Sequence, residues 1–127
     1  MGAPGRWNEK GFPIVYCADH PSTALLEVMV HFRSIGLPKT YQLLEIKVPD
    51  DLVIDTPNLT GGWKTNLSET QSIWTAFSQK NETSLLRVPS VVMPQAFNFL
   101  INPAHPQAAA ITIAQTWRYP FDSRLLV

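Results

Sequence analysis

The chain has 127 residues, 45% hydrophobic and 16% charged, which bounds it to one globular domain over residues 1–127 and excludes a disordered chain. Ten Lys and Arg balance ten Asp and Glu, so there is no basic field to hold DNA or RNA, and zero net charge points to an oligomer or a partner for solubility. Cys17 is the sole cysteine, which removes intrachain disulfides and multi-cysteine zinc sites, and no apolar run reaches the length of a membrane span.

Gly2 to Phe12 is predicted to be a loop or arm from its Gly and Pro content. Its start, Met-Gly-Ala-Pro-Gly-Arg, is not a signal peptide, which implies a cytoplasmic protein; the Asn-x-Ser/Thr triplets at Asn58, Asn66 and Asn81 then read as chance. Ile14 to Cys17 is a short apolar strand. A helix starts within Asp19 to Ser22, with Pro21 or Ser22 near the cap. It runs to about Phe32 on a stripe of Leu25, Val28, Met29 and Phe32. Tyr41 to Val48 alternates as a strand, and Leu52 to Asp55 is a shorter one. A loop through Gly61-Gly62 leads to a helix over Asn66 to Gln79, with Leu67, Ile73, Trp74 and Phe77 on its apolar side. Leu85 to Val88 and Val91 to Met93 are predicted strands on either side of Pro89-Ser90. Asn98 to Pro106 is predicted as a structured, buried loop. Ile111 to Trp117 alternates as a strand, and the tail Tyr119 to Arg124 offers one more. The sum is an α+β domain, a small mixed sheet with a few helices.

No glycine-rich nucleotide loop, Walker loop, His-Glu-x-x-His or Gly-x-Ser-x-Gly is present, so conventional cofactor binding and zinc hydrolysis are not expected. His20, His31 and His105 show no metal spacing. The residues that remain are subtler. Glu27 is a carboxylate in Ala-Leu-Leu-Glu-Val-Met-Val-His, which needs a partner if buried, and His31 lies one turn on along the same face. Arg6 sits in Gly-Arg-Trp-Asn, where a guanidinium fork suits phosphate oxygens. Ser90 is a hydroxyl inside Val-Pro-Ser-Val-Val and must find a hydrogen bond. Asn98, Asn102 and His105 frame a second polar cluster, in which a His between prolines reads as a turn-locking residue. Each of these, taken singly, also suits an ordinary structural residue.

Taken in order, they resemble the RES-domain family, named for its Arg, Glu and Ser. The matching stretches are Gly5-Arg6-Trp7-Asn8, Gly11 to Tyr16, Ala24-Leu25-Leu26-Glu27, Val88-Pro89-Ser90, Asn98 through Pro106, and Phe121-Asp122-Ser123-Arg124. The resemblance implies a fold similar to ADP-ribosyltransferases. It implies a toxin of a bacterial type II toxin–antitoxin pair that depletes NAD by cleaving the nicotinamide–ribose bond, as a glycohydrolase or phosphorylase. A protein ADP-ribosyltransferase toxin and an inactive antitoxin-binding module are the alternatives. The implied partner is an antitoxin with an Xre-like helix-turn-helix part, in a toxin–antitoxin hetero-oligomer or beside a homodimer, with no direct nucleic-acid or membrane contact. No cofactor is implied, NAD being the substrate, and no metal. Arg6, Glu27 and Ser90 take the catalytic places. Tyr16 falls on the family's aromatic position, and Trp7, Asn8, His31 and Asn98 are assigned to substrate binding. Family members also carry a leading strand and loop before the Gly-Arg-Trp-Asn motif, so the resemblance implies a pocket open on one side in a chain that starts so near it.

Overall fold

The computed structural model describes residues 5–33 and 35–125. The first strand, β1 (Val15–Ala18), leads into helix α1 (Pro21–His31), then β2 (Thr40–Lys47) and β3 (Ile54–Asp55). Helix α2 (Leu67–Lys80) precedes β4 (Leu85–Pro89) and β5 (Phe97–Ile101). The last strand, β6 (Thr112–Pro120), is followed by a short 3-10 turn at Ser123–Leu125, so the tail Tyr119 to Arg124 does not form the further strand expected from the sequence. The strands form a sheet ordered β1-β5-β4-β3 and a separate ribbon of β2 with β6. Among the described residues, only the β3–β4 pair is parallel. This is the mixed α+β class expected from the sequence.

Directly opposed residues of an antiparallel pair share a face. Leu86 opposes Leu100 and Tyr16 opposes Leu100 from the other side, while Val88 and Ala18 flank Asn98. One face of the sheet therefore carries Tyr16, Leu100 and Leu86 in one row and Ala18, Asn98 and Val88 in the next. Leu86, Val88 and Leu100 join Trp7, Trp63 and Trp74 in the core, with Phe12, Ile14, Ile73 and Phe77 around it. The core lies between this sheet face, α2 and the loop that precedes β1.

The helix boundaries have local causes. Asn66 caps α2 by accepting from the Glu69 amide at 3.0 Å, and Asn81 ends it in the left-handed conformation that Asn tolerates. Glu69 also holds the preceding loop, accepting from the Thr60 hydroxyl and amide, and these bonds keep its carboxyl below the usual carboxylate range. The expected cap of α1 at Pro21 or Ser22 is instead His20, whose Nδ1 accepts from the Ser22 amide at 3.1 Å. Pro21 then takes the first helical position, where its missing N–H has no consequence.

Two further expectations are corrected. Residues 98 to 101 belong to β5 rather than to a loop, because Asn98 to Ile101 pair on both sides, with β1 and with β4. Val91 to Met93 is not a strand but part of the β4–β5 turn. Ser90 donates its amide to the Ala96 carbonyl at 3.0 Å and accepts the Met93 amide on its hydroxyl at 3.1 Å, which folds the segment back. The β2–β6 ribbon pairs Leu43 with Trp117 and Tyr41 with Tyr119, and much of its surface is exposed.

Candidate active site

Helix α1 brings Glu27 to the sheet. Asp19, just after β1, accepts the Phe97 amide on its carboxylate and donates its own amide to the Phe97 carbonyl, both at 3.1 Å. That double bond fixes where the chain turns from β1 into the helix. Glu27 then meets two donors at the end of β4 and β5. The Ser90 hydroxyl donates to its Oε1 at 2.8 Å, and the Asn98 side-chain amide donates to the same oxygen at 3.0 Å. Ser90 is 0% exposed, so its hydroxyl is enclosed between Glu27 and the Met93 amide. A half-buried carboxylate surrounded by Leu25, Leu26 and Val28 is thereby supplied with the partners it requires.

Tyr16 stands diagonally across from Asn98 on the same sheet face, by the register of β1 and β5. The residue is 46% exposed, while its hydroxyl is tied down. The hydroxyl accepts the Trp7 amide at 3.1 Å and donates to Asn8 Oδ1 at 2.7 Å. Burial raises the phenol above its ordinary pKa, against the opposing pull of the hydrogen bonds from the 7–8 segment. This pair of bonds fastens the Gly5-Arg6-Trp7-Asn8 loop to β1. From the other side, Thr70 on α2 donates to the Arg6 carbonyl at 2.5 Å and Gln71 donates to the Gly5 carbonyl at 2.8 Å.

The Arg6 guanidinium lies over the Trp63 ring, 5.7 Å from its centroid, and its Nη2 donates to the Lys64 carbonyl. Its Nε is buried without a partner among the described residues. The ion pairs among the described residues are Lys80–Glu82 and Asp122–Arg124, so Arg6 and Glu27 are not joined directly. They are connected through Trp7, Tyr16 and the β1–β5 pair.

Of the eight residues singled out from the sequence, Glu27, Ser90 and Asn98 converge, with Tyr16 beside them on the same face. Arg6 is held at the next loop. Trp7 is 2% exposed and packs its ring 6.0 Å from that of Trp63, and Asn8 is 1% exposed. Both are interior residues that shape the loop, with no open surface on which a substrate would rest. His31 ends α1 on the surface one turn beyond Glu27 and packs edge-on against Phe32, 5.0 Å between rings, with no hydrogen bond to Glu27 among the described residues. The supports of Arg6 on α2 and at Trp63 and Lys64 were not visible in the sequence, because those residues are separated from the motif by more than fifty positions. A heuristic sign for Asp19 existed in the Asp at a strand end, but it read as a helix start.

Two grooves lie elsewhere. One runs between Val15, Ile101 and the ribbon end at Ile113, and the other between α1 and β2. Both are mainly apolar, and neither touches Glu27, Ser90 or Arg6. The polar convergence on Glu27 is the better candidate, because apolar concavity alone supplies no chemistry. No group of three or more His, Cys, Asp or Glu among the described residues is placed to hold a metal. No helix among them is long and apolar enough to cross a membrane.

Comparison with known proteins agrees with the family resemblance. The RES domain family model matches residues 1–122. A protein of a Sphingobium strain named "Prs ADP-ribosylating toxin" is 42% identical over 96% of this chain and 80% of its own length. Proteins named "Toxin Res" from Pseudomonas putida and Yersinia enterocolitica are 40% and 29% identical, over 95% of this chain and 85% and 83% of theirs.

Proposed function

The chain belongs to the RES domain family, and on that premise we propose that it is the toxin of a bacterial toxin–antitoxin pair and cleaves the nicotinamide–ribose bond of NAD. The observation that carries the reading is the convergence of Ser90 and Asn98 on Glu27, on the sheet face that also bears Tyr16. Loss of nicotinamide passes through a ribosyl cation resembling an oxocarbenium ion. Nicotinamide leaves as a neutral group from a cationic ring, so no general acid is needed and one carboxylate suffices. Glu27 is that carboxylate: it binds the ribose hydroxyls and stabilises the developing positive charge.

Arg6 supplies a guanidinium to the pyrophosphate through its terminal nitrogens, since Nε is enclosed and one Nη2 hydrogen is given to the Lys64 carbonyl. The exposed Tyr16 ring packs on the nicotinamide or ribose. Ser90 is a poor nucleophile in this arrangement. Its hydroxyl is enclosed, has no imidazole beside it, and already donates to Glu27. Because NAD is a cytoplasmic solute, the reading places the protein in the cytoplasm, with an antitoxin of the Xre-like helix-turn-helix kind as its partner.

Release of nicotinamide from NAD by the purified chain, with loss in Glu27→Ala and Arg6→Ala, is the expected result. Absence of release by the wild type, at a rate indistinguishable from Glu27→Ala, refutes it. The name of the Sphingobium relative favours a second reading, transfer of ADP-ribose to a protein. Labelled NAD separates the two: label on a macromolecule supports transfer, and label confined to small molecules supports cleavage by water or phosphate.

A further inference from the structure

We propose that Asn98 is a positioning residue for Glu27, and that Glu27 Oε2 is the oxygen that faces the ribose; this rests on the NAD-cleaving reading above. Both donors of the cluster, Ser90 Oγ and Asn98 Nδ2, are spent on Oε1, at 2.8 and 3.0 Å. No hydrogen bond reaches Oε2 among the described residues. A carboxylate only accepts, so the Asn98 amide nitrogen must be the group turned toward it. Asn98 Oδ1 is correspondingly left buried and without a partner.

The clamp is rigid on the sheet side. Asn98 sits between Ala18 and Val88 in a three-strand register, and Ser90 Oγ accepts the Met93 amide at 3.1 Å, which directs its own proton to Glu27. On the other side Glu27 is in the middle of α1. Two donors on one oxygen fix the plane of the carboxyl group and withdraw charge from Oε1. The electron density available to a developing ribosyl cation is therefore greatest at Oε2. Asn98 acts through Glu27 and need not touch the substrate, which differs from the substrate-binding role expected from the sequence.

The test uses two variants of matched size on the full chain: Asn98→Leu, which removes both polar atoms, and Asn98→Asp, which replaces the amide donor with a second carboxyl beside Glu27. Each is first shown to be folded by its thermal transition. For nicotinamide release, kcat falls about tenfold to a hundredfold, the worth of one hydrogen bond to a charged group, while KM and the calorimetric affinity for NAD stay within about twofold. A rise in KM with kcat unchanged would make Asn98 a substrate contact and overturn the proposal; so would no change in either.

A second measurement does not depend on turnover. The Asn98 side-chain amide signals, identified by their loss in Asn98→Asp, should move in Glu27→Ala because their acceptor is gone. Unmoved signals overturn the clamp. If the wild type does not cleave NAD, the functional reading fails, and this spectrum still decides the clamp.

Discussion

Gly5→Ala is a small change with a large expected effect, because Gly5 is packed where two polar side chains meet. A Cβ built on Gly5 would lie 2.7 Å from Asn8 Oδ1 and 2.8 Å from the Tyr16 hydroxyl. Ordinary contact begins near 3.4 Å, so both groups must retreat by more than half an ångström. Neither is a free end. They are bonded to one another at 2.7 Å, and the Tyr16 hydroxyl also accepts the Trp7 amide. Separating them forfeits two hydrogen bonds at about 0.5–1.5 kcal/mol each, and leaving the Trp7 amide unpaired in the interior adds to this. Restricting the unfolded chain with alanine returns about 0.4–1 kcal/mol. The net is a destabilisation of about 1–3 kcal/mol, or roughly 3–6 °C in Tm per kcal/mol for a domain of this size. Urea unfolding of Gly5→Ala, Tyr16→Phe and the double variant measures it. The double variant should recover part of the loss, because the hydroxyl contact is gone while the Asn8 contact persists. Gly62→Ala is the control: nothing lies within 4 Å of its Cβ position and its φ is −99°, so it should be neutral or slightly stabilising. A Gly5→Ala protein as stable as the wild type would refute the packing argument.

Tyr16 carries a pH signature. Its phenol is raised by burial, so the folded chain holds the proton where the unfolded chain releases it. Stability from this group is intact below the ordinary phenol value of about 10 and is lost as pH rises through the raised folded value. The stability difference between wild type and Tyr16→Phe should shift against the wild type between pH 8 and pH 11, and a constant difference contradicts it. Burial also pushes the Cys17 thiol up, which keeps it protonated near neutrality. Iodoacetamide should label it more slowly in the native chain than in denaturant; equal rates would show the site to be open. His105 is buried and bridges two segments, accepting the Gln107 amide on Nδ1 at 3.0 Å and bonding the Asn81 carbonyl through Nε2 at 3.1 Å. Because Nδ1 accepts, Nε2 carries the proton and donates. His105→Ala should lose about 1–3 kcal/mol in chemical unfolding, and His105→Asn should recover part by restoring the cap at Gln107. An alanine variant unchanged in stability means the bridge contributes nothing.

Most periodic elements were legible because their burial is one-sided. α2 packs Trp74, Ile73 and Phe77 toward the core, although Leu67, expected on that side, is exposed. β2 alternates in burial along most of its length, whereas β6 is exposed throughout and was legible from its sequence alternation alone. Within a residue or two, both helices begin and end where capping and proline chemistry put them. β5 was not legible. Asn98 within it and Asn102 just after it are poor strand residues, and the Asn98 side chain bonds Glu27 there. The Ser90 turn was hidden for the opposite reason. Val91, Val92 and Met93 have strand propensity, but a hydroxyl at the corner captures the Met93 amide. Both errors arise from the contacts that build the site. The order of Arg6, Glu27 and Ser90 was readable as a motif, whereas the burial of Trp7 and Asn8 beside Arg6 was not.

The loop that carries Arg6 contains no strand or helix, so its geometry is borrowed. It depends on α2 through Thr70 and Gln71, on β1 through Tyr16, and on the core through the Trp7–Trp63 contact. Glu27 depends on a different set, the β4–β5 turn and the Asp19 corner. The two halves meet at the β1–β5 pair, where Tyr16 and Asn98 are diagonal neighbours, and in the core, where Trp7 clusters with Val88 and Leu100. On the proposed reading, the spacing of Arg6 and Glu27 is therefore set by the four-residue β1–β5 register and the shared core rather than by a direct bond. A site built this way separates binding from bond cleavage. Loosening the α2 supports, as in Thr70→Val, should act first on Arg6 and so on affinity for the dinucleotide. Loosening the turn at Ser90 should act first on Glu27 and so on the chemical step. Variants on the α2 side should thus raise KM and variants on the turn side should lower kcat, and the same pattern from both would mean that the halves are one rigid unit.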